Sequence, residues 1–206
     1  MAEHGPNKPV TMGAGRLEAF SDAVMAVIIT ILALGLNPPA GSTWRDLADQ
    51  KGEFAIYVLA FVFIAIYWNN HHHLLRATTR INGAAMWANM FLLFWLSLIP
   101  LVTRWLRQDA WAQLPVASFG LISLGAAFGY TLLVRSLIAA NGKDSLLARA
   151  IAHDVKGYVS LAMYAAAVVF AAWSESTLWV AYALYVAVAV IWLVPDRRFL
   201  RAARED

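Results

Sequence analysis

The stretch RLEAFSDAVMAVIITILALGL, residues 16–36, decides the fold of this chain. Three charged side chains stand in its first seven residues, and the 14 residues after Asp22 carry no charge. As a helix those residues extend for about 21 Å, which is shorter than the ~30 Å hydrocarbon core of a bilayer. Asp22 is therefore expected within the span, where a costly carboxylate should face protein or a water-filled cavity. The alternative is an interfacial Asp22 that compensates the dipole of the first helical turn.

The remainder of the chain has the same apolar character. Of its 206 residues, 61% are hydrophobic and only 14% are charged, and the mean hydropathy is +0.59. A soluble core of this length does not need so much apolar surface, so lipid is the expected solvent. Six apolar stretches of about 20 residues are long enough to cross a bilayer, at residues 17–36, 54–75, 84–106, 114–139, 155–173 and 177–194. The sequence predicts an all-α polytopic integral membrane protein with six transmembrane helices in a single domain, residues 1–206, with short tails at 1–15 and 196–206.

The basic residues indicate the orientation of the six spans. Of the 16 Lys and Arg residues, 12 lie on the side of the two termini and 4 lie on the other side. Because Lys and Arg are enriched in cytoplasmic loops, both termini are expected in the cytoplasm of a cell-membrane protein. Residues 41–53 then form an external loop, and residues 141–153 form a cytoplasmic one that includes a short helix from Ser145 to His153. The net charge of +3 is spread among the loops, so nucleic acid is not an expected partner.

The first helix carries a stripe of side chains at helical spacing. Four residues fall at i, i+3, i+4 and i+7, namely Val27, Thr30, Ile31 and Leu34. A stripe of this kind faces lipid, packs in a core or lines a pore, and periodicity does not distinguish these, with core packing the default. Several copies of the helix around an axis would turn the stripe into stacked apolar rings that block ions by dewetting, with Thr hydroxyls between them.

The second span ends in a run of polar side chains, residues 67–73 with the sequence YWNNHHH. By topology this run lies at the same depth as Asp22. A hydrogen-bond network that joins Ser21 and Asp22 to members of the run would satisfy both polar sets. A metal site is the alternative, but adjacent residues on a helix point about 100° apart, so three consecutive histidines do not converge on one ion. We therefore expect a wet helix end with mixed hydrogen bonds and no metal.

Sequence signatures of enzymes are missing. The chain contains no Gly-x-Ser-x-Gly elbow, no phosphate-binding glycine loop and no His-Glu-x-x-His zinc motif. Cysteine is absent, which excludes disulfides, thiolate-bound metal and a thiol nucleophile. Asp154 stands beside a predicted helix start, where it is expected as an N-cap rather than as a catalytic acid. The sequence predicts neither an enzyme nor a bound cofactor.

The first span begins with the pattern Arg-x-x-x-Phe-Ser-Asp, formed by Arg16, Phe20, Ser21 and Asp22. This pattern resembles the hallmark of the transmembrane protein 175 family of potassium channels. The second span ends in a pattern that is similar to that of the small prokaryotic members of this family, formed by Trp68, His71 and His72. The six spans, the cytoplasmic ends and the chain length also agree, so the resemblance extends over the whole chain.

The resemblance implies a tetramer of six-helix subunits around a pore lined by the first helix. It also implies that the Thr-Val-Gly-Tyr-Gly filter loop of ordinary potassium channels is lacking, and no such loop sequence occurs here. Counted from Asp22, Val27 falls at the main hydrophobic constriction of the family, and Thr30 at a pore threonine that contributes to cation preference. Ile31 and Leu34 fall on further pore layers. Because family constrictions are usually Ile or Leu, a Val27 constriction is expected to be wider and less selective.

The resemblance places the two polar motifs in structural networks behind the pore. It therefore assigns scaffold and assembly roles to the motif residues, which are Arg16, Phe20, Ser21, Asp22, Trp68, His71 and His72. With these roles, the chain is expected to be a passive potassium-selective cation channel without chemical turnover. It is expected to form a homotetramer in the lipid bilayer and to conduct monovalent cations, with K⁺ as the permeating ion.

Two other functions remain open from the sequence. The first is a proton-coupled secondary transporter or proton-leak pathway, in which Asp22 and the histidines relay protons. The lack of paired glycine-broken spans and of a second intramembrane acid argues against it. The second is a non-conducting membrane scaffold, in which the stripe from Val27 to Leu34 simply packs in a core.

Overall fold

The computed structural model describes residues 13–142, 145, 147–148 and 155–193, and the described elements are helical. Six segments are long and apolar enough to cross a membrane, which confirms the six predicted spans. Three predicted features lie wholly or mostly outside the described residues. They are the short helix from Ser145 to His153, the N-cap at Asp154 and the tail after Pro195. The helices are α1 (Ala14–Leu34), α2 (Trp44–Asp49), α3 (Lys51–Arg76), α4 (Gly83–Ser97), α5 (Ile99–Gln108), α6 (Gln113–Asn141), α7 (Val155–Trp173) and α8 (Leu178–Leu193).

The third span is interrupted, which the hydropathy pattern did not predict. Helix α4 ends at Ser97 and α5 begins at Ile99, with Leu98 between them. Pro100 is the second residue of α5, where its missing N–H costs little because the N–H groups of the first turn have no acceptor within their own helix. In a continuous helix the same proline would clash with the carbonyl of Leu96. The proline therefore divides the Gly83–Gln108 span into two consecutive helices, both of which contact α1 and α6.

Helix α6 is central to the packing, because it contacts both α4 and α7. The contact with α4 depends on two glycines in a small-x-x-x-small pattern, Gly125 and Gly129. A Cβ at Gly129 would lie 2.9 Å from the Leu92 Cα atom, and a Cβ at Gly125 would collide with the Trp95 ring. Close approach of backbones is what holds helices together where lipid removes the hydrophobic driving force.

Within the predicted external loop lies the short helix α2. Thr43 caps its N-terminus: its hydroxyl oxygen accepts from the Asp46 N–H at 3.3 Å, while the Asp46 carboxylate accepts from the Thr43 N–H at 2.8 Å. This reciprocal arrangement is a capping box. Hydrogen bonds from the Thr43 side chain and backbone lower the pKa of Asp46, since they stabilise the carboxylate.

The last two spans form a hairpin with a very short turn, in agreement with the few residues between the predicted stretches 155–173 and 177–194. A single 3₁₀ turn, Glu175–Thr177, follows Ser174 and leads directly into α8. The Ser174 hydroxyl accepts from the Ser176 N–H at 3.3 Å and the Ser174 carbonyl accepts from the Thr177 N–H at 3.0 Å. Helices α7 and α8 then pack against each other.

Candidate pore helix and its supporting network

Helix α1 has two faces with different surroundings. One face is buried against α3 and α4 and consists of Leu17, Ser21, Met25, Ile28 and Leu32. The other face is exposed on the single chain, with Val27 57%, Ile31 48% and Leu34 79% accessible, and Thr30 is exposed among them. The four stripe residues therefore lie together outside the core of their own bundle, so core packing within the chain does not account for them.

Thr30 is the single hydroxyl of the exposed stripe. Its Oγ1 donates a 2.8 Å hydrogen bond to the carbonyl oxygen of Ala26, one turn earlier in the same helix. Because this bond uses the only hydroxyl proton, the lone pairs of Oγ1 remain for another donor or for a cation. An oxygen ligand of this kind suits a hard monovalent ion and needs no charged side chain.

A chain of hydrogen bonds ties the buried face of α1 to α3 and α4. The Asn89 Oδ1 atom lies 2.7 Å from His71 Nε2, and Asn89 Nδ2 donates to the Ser21 hydroxyl at 2.9 Å. Ser21 in turn donates to the Leu17 carbonyl at 2.8 Å. Since the amide oxygen only accepts, His71 carries its proton on Nε2. All three side chains are fully buried, so the network holds three helices in one arrangement.

The residue at the centre of this network, Asn89, was missed by sequence reasoning. It is the one amide in the apolar run of α4, from Gly83 to Ser97. A polar side chain within a span is costly unless it finds a partner, so its position was itself the available signal. The partner was not readable, because Ser21 and Asn89 are separated by 68 residues in the chain.

A second link between α1 and α3 involves His72, which lies 2.8 Å from the Glu18 carboxylate through Nδ1. The Trp68 ring stacks on the imidazole with 5.8 Å between ring centroids. Both partners of this contact are about one quarter exposed, so it contributes about 0–1 kcal/mol. His71 and His72 thus face different partners, and among the described residues no three His, Cys, Asp or Glu side chains are grouped to hold a metal.

The remaining motif residues take no part in these hydrogen bonds. Arg16 is exposed and Phe20 is 49% accessible. The Asp22 Oδ1 atom is buried and finds no donor in the described part of the chain. The His71 Nδ1 atom is also buried and has no hydrogen-bond partner there. The structure therefore brings Ser21 together with His71, and Trp68 together with His72, while Arg16, Phe20 and Asp22 have no hydrogen-bond partner in this network.

Residues 16–100 match the sequence model of the family described as the endosomal/lysosomal potassium channel TMEM175. A potassium channel of Chryseobacterium sp. (strain P1-3) is 42% identical over 195 residues, which span 95% of this chain and 100% of that protein. A potassium channel of Streptomyces collinus is 32% identical over 128 residues, which span 58% of this chain and 62% of that protein.

Two solved structures share the fold. A crystal structure of a lysosomal potassium-selective channel TMEM175 homolog from Chamaesiphon minutus superposes with a TM-score of 0.71 at 21% identity, over 89% of this chain and 97% of the other. A variant of the potassium channel MtTMEM175, in complex with a nanobody fusion protein, superposes with a TM-score of 0.58 at 17% identity, over 97% of this chain and 99% of the other.

Proposed function

This chain belongs to the endosomal/lysosomal potassium channel TMEM175 family, and on that premise we propose that it forms a passive, potassium-selective cation pore lined by α1. The family and the named relatives are ion channels and not enzymes. The six apolar helices agree with an integral membrane channel. The proposed oligomer is a homotetramer in the cell membrane with both termini in the cytoplasm, as the excess of basic residues on that side favours.

The observation that carries this proposal is the exposed stripe on α1. A transmembrane helix whose outer face is apolar contacts either lipid or further copies of the chain. Copies of α1 around an axis would place Val27 at the narrowest apolar ring, with Ile31 and Leu34 on further layers. Stacked apolar rings exclude water when they close and therefore gate ions without a charged group.

Thr30 supports potassium preference in this arrangement. Its hydroxyl oxygen lone pairs are available because the proton is donated to Ala26. A ring of such oxygens replaces part of the hydration shell of an ion that passes the apolar layers. K⁺ loses hydration water more readily than Na⁺, so a weakly coordinating ring favours K⁺.

The motif residues act as scaffold in this proposal. The Ser21 network and the contact of His72 with Glu18 hold α1 against α3 and α4 on the side away from the pore. Arg16 and Phe20 are exposed on the single chain and are available to a neighbouring copy. Asp22, with a buried oxygen that lacks a donor in the described residues, fits a role in assembly rather than in conduction.

Ion flux into liposomes containing the purified protein tests this function. We expect K⁺ flux down an imposed gradient, smaller Na⁺ flux and a large loss in Val27→Trp. The matched control is Val169→Trp, because Val169 on α7 is 58% exposed, almost the same as Val27, and lies on another helix. Equal loss in both variants would contradict a pore on α1. Flux that requires a proton gradient would instead support the proton-coupled transporter.

A further inference from the structure

Helix α5 lies beside the C-terminal end of α1, and the two helices border a cavity of about 310 Å³. On α1 the cavity is walled by Ile31 and Leu34, the last two residues of the exposed stripe, and on α5 by Pro100 and Leu101. In the proposed oligomer the stripe faces the pore, so this part of α5 lies on the pore side of the chain. The span of α1 ends at Leu34, so the cavity adjoins one mouth of the pore.

The charged side chains that line this cavity all have the same sign. They are Arg104 and Arg107, and no Asp or Glu of the described residues is among its walls. The two arginines are three residues apart on α5, so they are neighbours on the surface of that helix. The walls therefore bring positive charge, without a lining carboxylate, next to the end of the pore-facing stripe.

The packing of the chain accounts for one of these arginines and not for the other. Arg107 is half-buried, and a Cβ at Gly35 would lie 2.9 Å from its Nη2 atom. A cation at this position is favourable because the last carbonyls of α1 carry partial negative charge. Arg104 is exposed and forms no ion pair with a described residue. Arg104 is therefore the arginine whose charge is not compensated within the described chain.

We propose that Arg104 forms a ring of positive charge at this mouth of the pore and makes K⁺ conduction asymmetric. The inference rests on the proposed homotetrameric pore along α1. Four unit charges about 10 Å from an ion in water at 0.1 M ionic strength lower the local K⁺ concentration about two- to threefold. Entry of K⁺ from this side is slowed, whereas K⁺ that enters at the opposite mouth comes from solution that the ring does not deplete.

The proposed orientation of the chain gives the sign of the asymmetry. Helix α1 begins on the cytoplasmic side in that orientation, so the ring of Arg104 lies at the external mouth. Inward K⁺ current should therefore be smaller than outward current when the K⁺ concentrations on the two sides are equal. Screening by salt should remove the difference, because the Debye length falls from about 10 Å at 0.1 M to about 3 Å at 1 M.

Patch-clamp recording from cells that express the full chain tests this ring, because the orientation of the protein is then fixed. In symmetric 0.1 M KCl we expect outward current about two- to threefold larger than inward current. Arg104→Gln should make the two currents equal, whereas Arg104→Lys should keep the asymmetry because it keeps the charge. The matched control is Arg45→Gln, since Arg45 is an exposed arginine of α2 outside the cavity, and it should keep the asymmetry as well.

A second experiment changes the charge on protein that has already folded. The chain contains no cysteine, so Arg104→Cys introduces a single thiol. A cationic methanethiosulfonate reagent applied from outside should restore the smaller inward current, and an anionic one should make the inward current the larger. The same channels are recorded before and after the reagent, so a folding defect does not produce these opposite changes.

The outcomes separate this inference from the proposed function. K⁺ currents that are symmetric in the unaltered chain at 0.1 M KCl, or that do not respond to either reagent in Arg104→Cys, would overturn the ring and leave the pore in place. An Arg104→Gln variant that keeps the asymmetry would overturn it too. Absence of K⁺ current from the unaltered chain would contradict the pore on α1, and the ring with it.

Discussion

His71 and Ser21 belong to one hydrogen-bond network although they do not bond to each other, because the Asn89 amide lies between them at 2.7 Å and 2.9 Å. One amide thus satisfies an imidazole donor on α3 and a hydroxyl acceptor on α1. The amide is suited to this position because it offers an acceptor and a donor on the same planar group.

Replacing Asn89 by Leu should destabilise the protein. The substitution keeps the size of the side chain but leaves His71 Nε2 without its acceptor in a fully buried place, at a cost of about 1–3 kcal/mol. Thermal unfolding in detergent, followed by fluorescence-detected size exclusion, measures the loss. The control is Asn69→Leu, because Asn69 is exposed on α3. An unchanged melting temperature for Asn89→Leu would contradict a stabilising network.

Replacing Asp22 by Ala should lower the yield of the oligomer more than it changes ion selectivity. The carboxylate lies next to the Ser21 network and away from the exposed stripe, so it is expected to support assembly. Size exclusion with light scattering gives the oligomer fraction, and reversal potentials give the selectivity. Intact oligomers with altered selectivity would refute this role.

Replacing Thr30 by Val should lower the K⁺ to Na⁺ permeability ratio while flux continues. Val keeps the shape of the side chain and removes the oxygen, and the lost hydrogen bond lies within one exposed helix, so stability should change by only about 0.5 kcal/mol. Reversal potentials under bi-ionic conditions measure the ratio. Thr131→Val is the matched control, since Thr131 makes the same bond to a carbonyl one turn earlier, Ala127, on α6. A ratio that stays the same in Thr30→Val would exclude the hydroxyl from ion selection.

Replacing Gly129 by Ala should destabilise the contact between α4 and α6. The new Cβ would lie 2.9 Å from the Leu92 Cα, a backbone atom that moves only with its helix, and overpacking of this kind costs about 1–3 kcal/mol. Gly52→Ala, near the start of α3, meets no atom within 4 Å and should be neutral or slightly stabilising. Thermal unfolding of the two variants gives the comparison, and equal melting temperatures would show that the helices have room to separate.

Much of the fold was predictable because spans are set by length and apolar content. The six stretches and the short turn before α8 follow from composition and spacing. The break at Leu98 was signalled by Pro100 but not predicted, because hydropathy continues across it. Helix α2 was predicted as a loop, since six residues are too few for a periodic pattern.

The candidate site was predictable only in part. Spacing identified the stripe from Val27 to Leu34, but its exposure depends on how α1 is rotated against α3 and α4, which no local pattern specifies. The same holds for Asn89, whose partner comes from a distant part of the chain. The contact of Glu18 with His72 likewise follows from helix rotation, since the sequence offered several other acidic and basic residues nearby.

The hairpin of α7 and α8 also constrains how the protein is made. Only residues 174–177 separate the two spans, and four residues extend for at most about 14 Å. The connection is therefore too short to keep a nascent α8 far from the bilayer once α7 has entered it. We expect the two helices to enter the bilayer as a pair, so a substitution that weakens insertion of α8 should also lower the insertion of α7.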